Sequence, residues 1–180
     1  MDYRNLGAAG VKVSPLCLGT AFRAGRDEAA CLRAIECALE QGCNFIDTAN
    51  IYGGGRSERI LARALKGTRD DVVLTSTVSS PMGPGPNEQG LSRYAFMREV
   101  ERSLRRLETD HLDIYILHQP DPTTPMEETL RAMDDLVHQG KIRYVGISNY
   151  PAWEVCDGLR ISQMFGLAAF ILIQAEYSLL

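Results

Sequence analysis

Short apolar strands alternate with amphipathic helices along almost the whole chain, at a spacing of roughly 30 residues. Strands that alternate with helices in this way are buried on both faces and pair in parallel with their neighbours. The pattern therefore predicts an α/β protein with a parallel sheet and helices packed outside it. Six such strands are predicted, at residues 15–20, 44–46, 71–78, 111–117, 141–147 and 169–174.

Five helices are predicted between these strands, and the fourth has the clearest start signal. Thr124 suits the N-cap, Pro125 the first helical position, and Glu127 the place of a capping-box carboxylate. Helices are expected at residues 27–41, 57–65, 91–107, 124–138 and 151–165.

Polar side chains follow the apolar part of successive strands. In a TIM (β/α)8 barrel the functional groups gather at this rim, where strands end and loops begin. The first strand-to-helix turn, residues 18–23, lacks the G-x-G-x-x-G sequence that open dinucleotide-binding sheets use to hold a pyrophosphate. The sequence therefore predicts a TIM-type barrel rather than an open sheet. The polar strand-end residues are Asp47, His118, Ser148, Asn149 and Gln174.

The predicted barrel is incomplete. A TIM barrel has eight strands and about 250 residues, whereas this chain has 180 residues and six predicted strands. We expect one domain over residues 1–180, with an N-terminal β-hairpin in residues 1–14 and strands one to six in residues 15–180. Unpaired strand edges tend to associate, so we expect self-association through the open barrel edges.

One stretch, residues 45–58, combines an acid and a phenol at the predicted rim. Asp47 stands at the end of a short strand, and Tyr52 lies on a glycine-rich turn that leads into a helix. Such a pair could donate a proton, although an ordinary strand-to-helix turn would look similar. His118, at the end of another strand, favours chemistry because acid–base groups cluster at functional sites.

Composition and charge exclude several classes of protein. A net charge of −4 argues against a nucleic-acid or membrane partner held by charge. Five cysteines without a C-x-x-C pair make a disulfide framework or a structural zinc site improbable and indicate a reducing cytoplasm. The start of the chain lacks a signal-peptide pattern, and its longest apolar run, residues 166–173, is too short to cross a bilayer.

A basic run in the third predicted helix needs a separate explanation. Arg102, Arg105 and Arg106 lie close together there, but they are interspersed with glutamates. Alternating charge of this kind is typical of a solvated helix face. We therefore expect these arginines to be exposed to solvent.

Four ordered motifs stand out along the chain: FIDTANIYG at 45–53, LDIYILH at 112–118, GKIRYVGISN at 140–149 and QAEYSLL at 174–180. Together they closely resemble the aldo-keto reductases. The resemblance covers all 180 residues, including the hairpin that closes the barrel bottom in that family, and corresponds to the first half to two-thirds of a typical member.

The resemblance implies NADPH-dependent reduction of an aldehyde or ketone to an alcohol. Tyr52 would then be the general acid, His118 would orient and polarise the carbonyl, and Asp47 would tune Tyr52 electrostatically. The same resemblance implies a small-molecule carbonyl compound as the substrate. The positions matched to cofactor binding are Thr20, Asp47, Ser148, Asn149 and Gln174.

The chain departs from the family pattern at one catalytic position. The family has a lysine on the third strand, where this chain has Thr77. A nearby ammonium lowers the pKa of a phenol, and threonine brings no charge. The family also holds the cofactor phosphates with a region after the sixth strand that has no counterpart in these 180 residues. We therefore expect impaired catalysis, by ~10²–10⁴-fold for the acid–base step.

Two other functions are consistent with these residues. A metal-dependent barrel hydrolase could use His118, Asp121 and Asp47, although the number of ligands falls short of a typical catalytic site. A pseudoenzyme or binding subunit is the other alternative, because potassium-channel-associated members of the same family use the scaffold for binding.

Overall fold

The computed structural model describes residues 1–22 and 27–178 of the chain. Two sequence expectations extend beyond these residues: the turn at 18–23 ends on Arg23, and the last motif includes Leu179 and Leu180. The strands are β1 (Arg4–Asn5), β2 (Lys12–Val13), β3 (Leu18–Gly19), β4 (Phe45–Asp47), β5 (Val73–Val78), β6 (Leu112–Leu117), β7 (Ile142–Ser148) and β8 (Phe170–Gln174).

Helices follow each of the strands from β3 to β7, as the alternation predicted. The first strand, predicted at residues 15–20, is regular only at Leu18–Gly19. Thr20 directly follows it. The helices are α1 (Glu28–Glu40), α2 (Arg56–Ala64), α3 (Arg93–Leu107), α4 (Met126–His138) and α5 (Ala152–Phe165), with a 3-10 turn at Arg69–Asp71.

The start of α4 differs from its prediction. Pro125 is the N-cap, and no side chain in the described part of the chain caps the helix. The Thr124 hydroxyl instead donates to Oδ2 of Asp121 at 2.8 Å, and Glu127 accepts from Arg131 one turn later at 2.9 Å. The predicted capping box is therefore wrong, because the preceding loop offers the Thr124 hydroxyl a carboxylate acceptor.

Strands β3 to β8 form one parallel sheet whose spatial order is the same as their order in the chain. The sheet curls into an incomplete (β/α) barrel with the β1–β2 hairpin beside it, so the predicted fold is confirmed. The pairing registers align several residues near the strand ends. Gly19 is opposite Asp47, Asp47 is opposite Thr75, and Ser148 is opposite Gln174.

The main core lies between the outer face of the sheet and the helices. Ile46, Leu74 and Tyr115 point outwards into it and are fully buried. The Tyr115 ring lies 5.1 Å from the ring of Phe96 on α3. Burial on this face explains why most strand residues are apolar, although β5 also contains the buried polar residues Thr75, Ser76 and Thr77.

A smaller apolar cluster fills the inside of the curl. Ile114 and Ile116 alternate with outward-facing residues of β6 and join Val13 and Val73. The hairpin lies against this cluster, and at Gly7 (φ +56°) a Cβ atom would lie 2.8 Å from the carbonyl oxygen of Ile171. The hairpin turn therefore approaches β8 at a point where only glycine fits.

A buried ion cluster joins α2, α3 and β5. Arg106 donates to Oε2 of Glu58 at 2.5 Å and to Oε1 of Glu99 at 2.6 Å. Ser76 donates to the other oxygen of Glu58 at 2.8 Å, and the Glu58 side chain is fully buried. The expectation that Arg106 lies on a solvated face is therefore wrong, because its side chain is only 16% exposed.

The glycine-rich turn before α2 is shaped by this cluster. Gly53, Gly54 and Gly55 all have positive φ, between 61° and 82°, which glycine adopts without strain. A Cβ atom at Gly55 would lie 2.5 Å from Cδ of Arg106. The positive φ angles therefore account for the three glycines, and the close approach of the Arg106 side chain is a further reason for glycine at position 55.

Within residues 1–22 and 27–178, no helix combines the length and the apolar character needed to cross a membrane.

Candidate active site

Every predicted site residue lies at the carboxyl-terminal rim of the sheet. Asp47, Ser148 and Gln174 are the last residues of β4, β7 and β8. Thr20, His118 and Asn149 each directly follow a strand, and Tyr52 lies on the turn between β4 and α2. This placement follows from the parallel pairing, which puts all strand ends on one edge.

Asp47 is the buried acid of this rim and is only 7% exposed. The Thr75 hydroxyl donates to its Oδ1 at 2.7 Å. Burial raises the pKa of the Asp47 carboxyl, while hydrogen bonds from Thr75 and Gln174 and the charge of His118 oppose that rise. No lysine or arginine in the described part of the chain forms an ion pair with Asp47.

Tyr52 and His118 contact each other above Asp47. Their ring centroids are 6.2 Å apart and the rings are nearly perpendicular, at 83°. Burial, and secondly the Asp47 charge, raises the pKa of the Tyr52 phenol. Burial lowers the pKa of His118, against the opposing effect of Asp47. At neutral pH the phenol is therefore protonated and the imidazole is uncharged.

A cavity of about 220 Å³ lies inside the curled sheet, and among the described residues it is lined by Asp47 but by neither Tyr52 nor His118. Asp47, Thr75 and Gln174 contribute its polar lining, and Cys17 lines it as well. Cys17 is exposed, and partial desolvation is the largest cause that raises its pKa to about 12, followed by the charge of Asp47. Sequence reasoning missed both Thr75 and Cys17, and only the register of β4 with β5 could have indicated Thr75.

Thr20 supports the backbone around Asp47. Its N–H and its hydroxyl both donate to the Asp47 carbonyl oxygen at 2.9 Å. Its own carbonyl oxygen accepts from the Ser57 hydroxyl at 2.7 Å. Because Thr20 is fully buried, its observed contacts serve the position of Asp47, and a contact with a cofactor ribose stays a prediction.

Asn149 ties three strand ends together. Its side-chain amide donates to the His118 carbonyl oxygen at 2.8 Å, and its N–H donates to the Gln174 carbonyl oxygen at 3.2 Å. Its φ of +59° lies in the left-handed region, which asparagine tolerates better than most residues. Asn149 therefore links β6, β7 and β8 at the rim.

Thr77 lies on the inner side of the same rim. It is two residues beyond Thr75 on β5, so the two side chains share a face of the sheet. Thr77 is 1% exposed and its hydroxyl donates to the Thr48 carbonyl oxygen at 3.0 Å. It satisfies a backbone acceptor but brings no positive charge near Asp47 and Tyr52.

The residues considered for a metal site serve other purposes. Both carboxylate oxygens of Asp121 accept hydrogen bonds within its own loop and from the Leu91 N–H. Among the residues that the structure describes, no three His, Cys, Asp or Glu side chains are grouped so that they could hold a metal ion. The geometry favours acid–base chemistry by Tyr52, His118 and Asp47.

We expect Asp47→Asn to remove a pH-dependent destabilisation. The Asp47 pKa is raised above its unfolded value of about 3.9. The unfolded chain therefore loses this proton at a lower pH than the folded chain, and stability falls as pH rises from that value through the folded pKa. The stability gained by Asp47→Asn should be larger at pH 7 than at pH 4 in urea unfolding.

Asp70→Asn is the matched control for this experiment, because Asp70 is exposed and lies away from the site. It should change the unfolding free energy little at either pH. A gain from Asp47→Asn that is the same at both pH values would contradict the raised pKa.

Comparison with known proteins gives a consistent result. The family described as "Aldo/keto reductase family" matches residues 15–180. A Bacillus subtilis protein named "Uncharacterized oxidoreductase YrpG" is 38% identical over 192 residues, which include all of this chain and 59% of that protein. "Aldo-keto reductase YhdN" from the same organism is 39% identical over 157 residues, or 83% of this chain and 47% of that protein.

A third relative carries a different kind of name. "Probable voltage-gated potassium channel subunit beta" of Arabidopsis thaliana is 36% identical over 183 residues, which cover 99% of this chain and 56% of that protein. The chain thus spans between about half and three-fifths of the length of the curated relatives it matches.

Proposed function

Because this chain belongs to the aldo-keto reductase family, we propose that it takes part in the NADPH-dependent reduction of an aldehyde or ketone to an alcohol. The observation that carries this proposal is the contact between Tyr52 and His118 at the rim, 6.2 Å between ring centroids, above the buried Asp47. Asp47 lines the cavity inside the barrel, and the two rings supply acid–base groups that interact electrostatically with it.

In the proposed reaction Tyr52 donates its phenolic proton to the carbonyl oxygen of the substrate. The raised pKa of Tyr52 keeps this proton in place at neutral pH. The uncharged His118 ring donates a hydrogen bond to the same oxygen and so orients the carbonyl. Asp47 acts through its charge on both rings, and solvent returns the proton to Tyr52 after the reaction.

The residues at the ends of β7 and β8 fit a nicotinamide. Ser148, Asn149 and Gln174 offer one hydroxyl and two amide side chains on neighbouring strand ends, and amide groups complement a carboxamide in both donors and acceptors. When bound, the cofactor would supply the hydride for the carbonyl carbon. Asn149 would also hold the backbone at His118, and so connect cofactor binding with the position of the imidazole.

We infer that the acid is weakened in this chain. The Tyr52 pKa is raised by burial and by Asp47, and Thr77 supplies no cation to oppose those effects. General acid–base catalysis contributes ~10²–10⁴-fold to a rate, and we take this factor as the scale of the loss when the acid is weakened. Slow turnover is therefore part of the proposal.

Calorimetric titration of NADPH into the 180-residue chain tests the cofactor assignment. We expect saturable binding that Gln174→Met weakens at least about tenfold, because this change removes an amide that we assign to the carboxamide. Gln163→Met is the matched control, since Gln163 is exposed on α5. Binding that is unchanged in Gln174→Met would contradict the assignment.

A non-catalytic role is the second candidate, and Thr77 is the observation that favours it. A scaffold that keeps the rim but lacks the cation could bind without reducing. Absence of NADPH binding would support this role, and the search would then turn to a protein partner. One relative is itself named as a potassium channel subunit beta.

We also propose that the protein is cytoplasmic and that copies of this chain associate with one another. The association would take place through the edges of the sheet. Strands β3 and β8 each pair with one neighbour in the described sheet, and Ile173 on β8 is 51% exposed. Light scattering after size exclusion should give a mass above the 19.9 kDa of one chain. A cooperatively folded monomer at high concentration would contradict this proposal.

A further inference from the structure

A second cavity, of about 310 Å³, lies outside the barrel between the starts of α4 and α5. It is separate from the cavity that contains Asp47 and shares no lining residue with it. Its volume falls within the range typical of small-molecule sites. Its apolar lining comes mainly from Leu91, Pro120, Pro122 and Met126.

Two aromatic residues border this cavity in different ways. Trp153, the only tryptophan of the chain, is 69% exposed at the cavity mouth. Tyr150 is only 8% exposed, and its hydroxyl forms no hydrogen bond within residues 1–22 and 27–178. The hydroxyl oxygen itself is accessible from the cavity, so a ligand that reaches Tyr150 could form a hydrogen bond with it.

The charged residues of the cavity lining are all acidic. They are Asp121, Glu154 and Asp157, and no lysine or arginine among the described residues lines the cavity. Asp157 is paired with Arg160 at 2.9 Å, and the oxygens of Asp121 are used by its own loop. Glu154 is half-buried and forms no ion pair with any described residue.

Glu154 could be explained by its place in the first turn of α5, where a carboxylate complements the helix end. That explanation accounts for neither the exposed tryptophan nor the unpartnered Tyr150 hydroxyl in the same cavity. The cavity combines a carboxylate, a tyrosine hydroxyl and an indole around an apolar space. These groups suit an organic cation, because cations bind to aromatic faces and to carboxylates.

We propose that this cavity binds a small organic ammonium ion with an apolar body. The ammonium group lies between Glu154 and the Tyr150 hydroxyl and against the Trp153 ring. The apolar body packs on Pro120, Pro122 and other apolar lining residues. The site is independent of the reductase chemistry, since none of its residues takes part in the proposed reaction.

Titration of n-pentylammonium chloride at constant ionic strength tests this proposal through the fluorescence of Trp153. We expect a saturable change, with binding roughly 5- to 30-fold tighter than that of the neutral pentan-1-ol. Glu154→Gln removes the charge but keeps the shape, and Tyr150→Phe removes only the hydroxyl. Both variants should weaken pentylammonium binding at least about threefold.

Glu36→Gln, an equal charge change on the exposed face of α1, is the control and should bind as the parent does. Circular dichroism of each variant establishes that it is folded, and calorimetry of the parent chain provides a second measure of binding. Equal binding of the amine and the alcohol would overturn the proposal. So would a linear, unsaturable fluorescence response, or binding in Glu154→Gln equal to that of the parent.

Discussion

Thr77→Lys is expected to raise the rate of NADPH-dependent carbonyl reduction by ~10²–10⁴-fold in a form of the protein that binds the cofactor. Thr77 shares the inner face of β5 with Thr75, whose hydroxyl donates to Asp47 at 2.7 Å. An ammonium on this face would lie near Asp47 and would lower the pKa of Tyr52, which burial and Asp47 now raise.

The controls for Thr77→Lys separate charge from size. Thr77→Met adds a side chain of similar length without charge, so it should leave the rate close to that of the parent. Tyr52→Phe added to Thr77→Lys should remove the gain, because the proton donor is then missing. Steady-state rates measured across a range of pH should also show that the ionisation of Tyr52 controls the rate at a lower pH in Thr77→Lys than in the parent. Equal rates for the lysine and methionine variants would show that the charge is not what the site lacks.

Arg106→Met is expected to destabilise the fold by about 3–5 kcal/mol, the usual effect of removing one partner from a buried ion pair. The variant leaves Glu58, whose side chain is fully buried, without its cation. Glu99 keeps a weaker partner in Arg102 at 3.5 Å. Urea unfolding of the variant and the parent at pH 7 measures the difference.

Arg105→Met is the matched control, because Arg105 neighbours Arg106 on α3 but is exposed and has no ion pair among the described residues. Its effect should be within about 0.5 kcal/mol. Glu58→Gln combined with Arg106→Met should be less destabilising than Arg106→Met alone, since the unpaired charge is removed while an acceptor for Ser76 remains. If Arg106→Met and Arg105→Met have equal effects, the cluster does not stabilise the fold.

The fold could be predicted because periodicity along the chain is a local property. Alternating strands and helices identified the parallel sheet, and polar residues at the ends of four of the six strands identified the rim. The parallel sheet places Asp47, Tyr52 and His118 on one edge whatever the details of packing. Their location on one edge therefore followed from topology, whereas the contact between the Tyr52 and His118 rings did not.

Residues that act across strands could not be predicted in the same way. Thr75 supports Asp47 only because the two are opposite each other in the register of β4 and β5, and the sequence alone does not give that register. Arg106 was expected to be exposed because a basic and acidic run on a helix is usually solvated. Its burial depends on Glu58, which is 48 residues away in the chain.

The identical order of strands β3 to β8 in space and in sequence has a consequence for biosynthesis. Each strand pairs with the one that left the ribosome just before it, so every pairing closes a loop of only roughly 30 residues. Domains form from the N-terminal side during synthesis, and here the growing sheet would always present its newest edge to the next strand. The incomplete barrel can therefore assemble in nearly equivalent steps, because no strand has to pair with a segment that is distant in the chain.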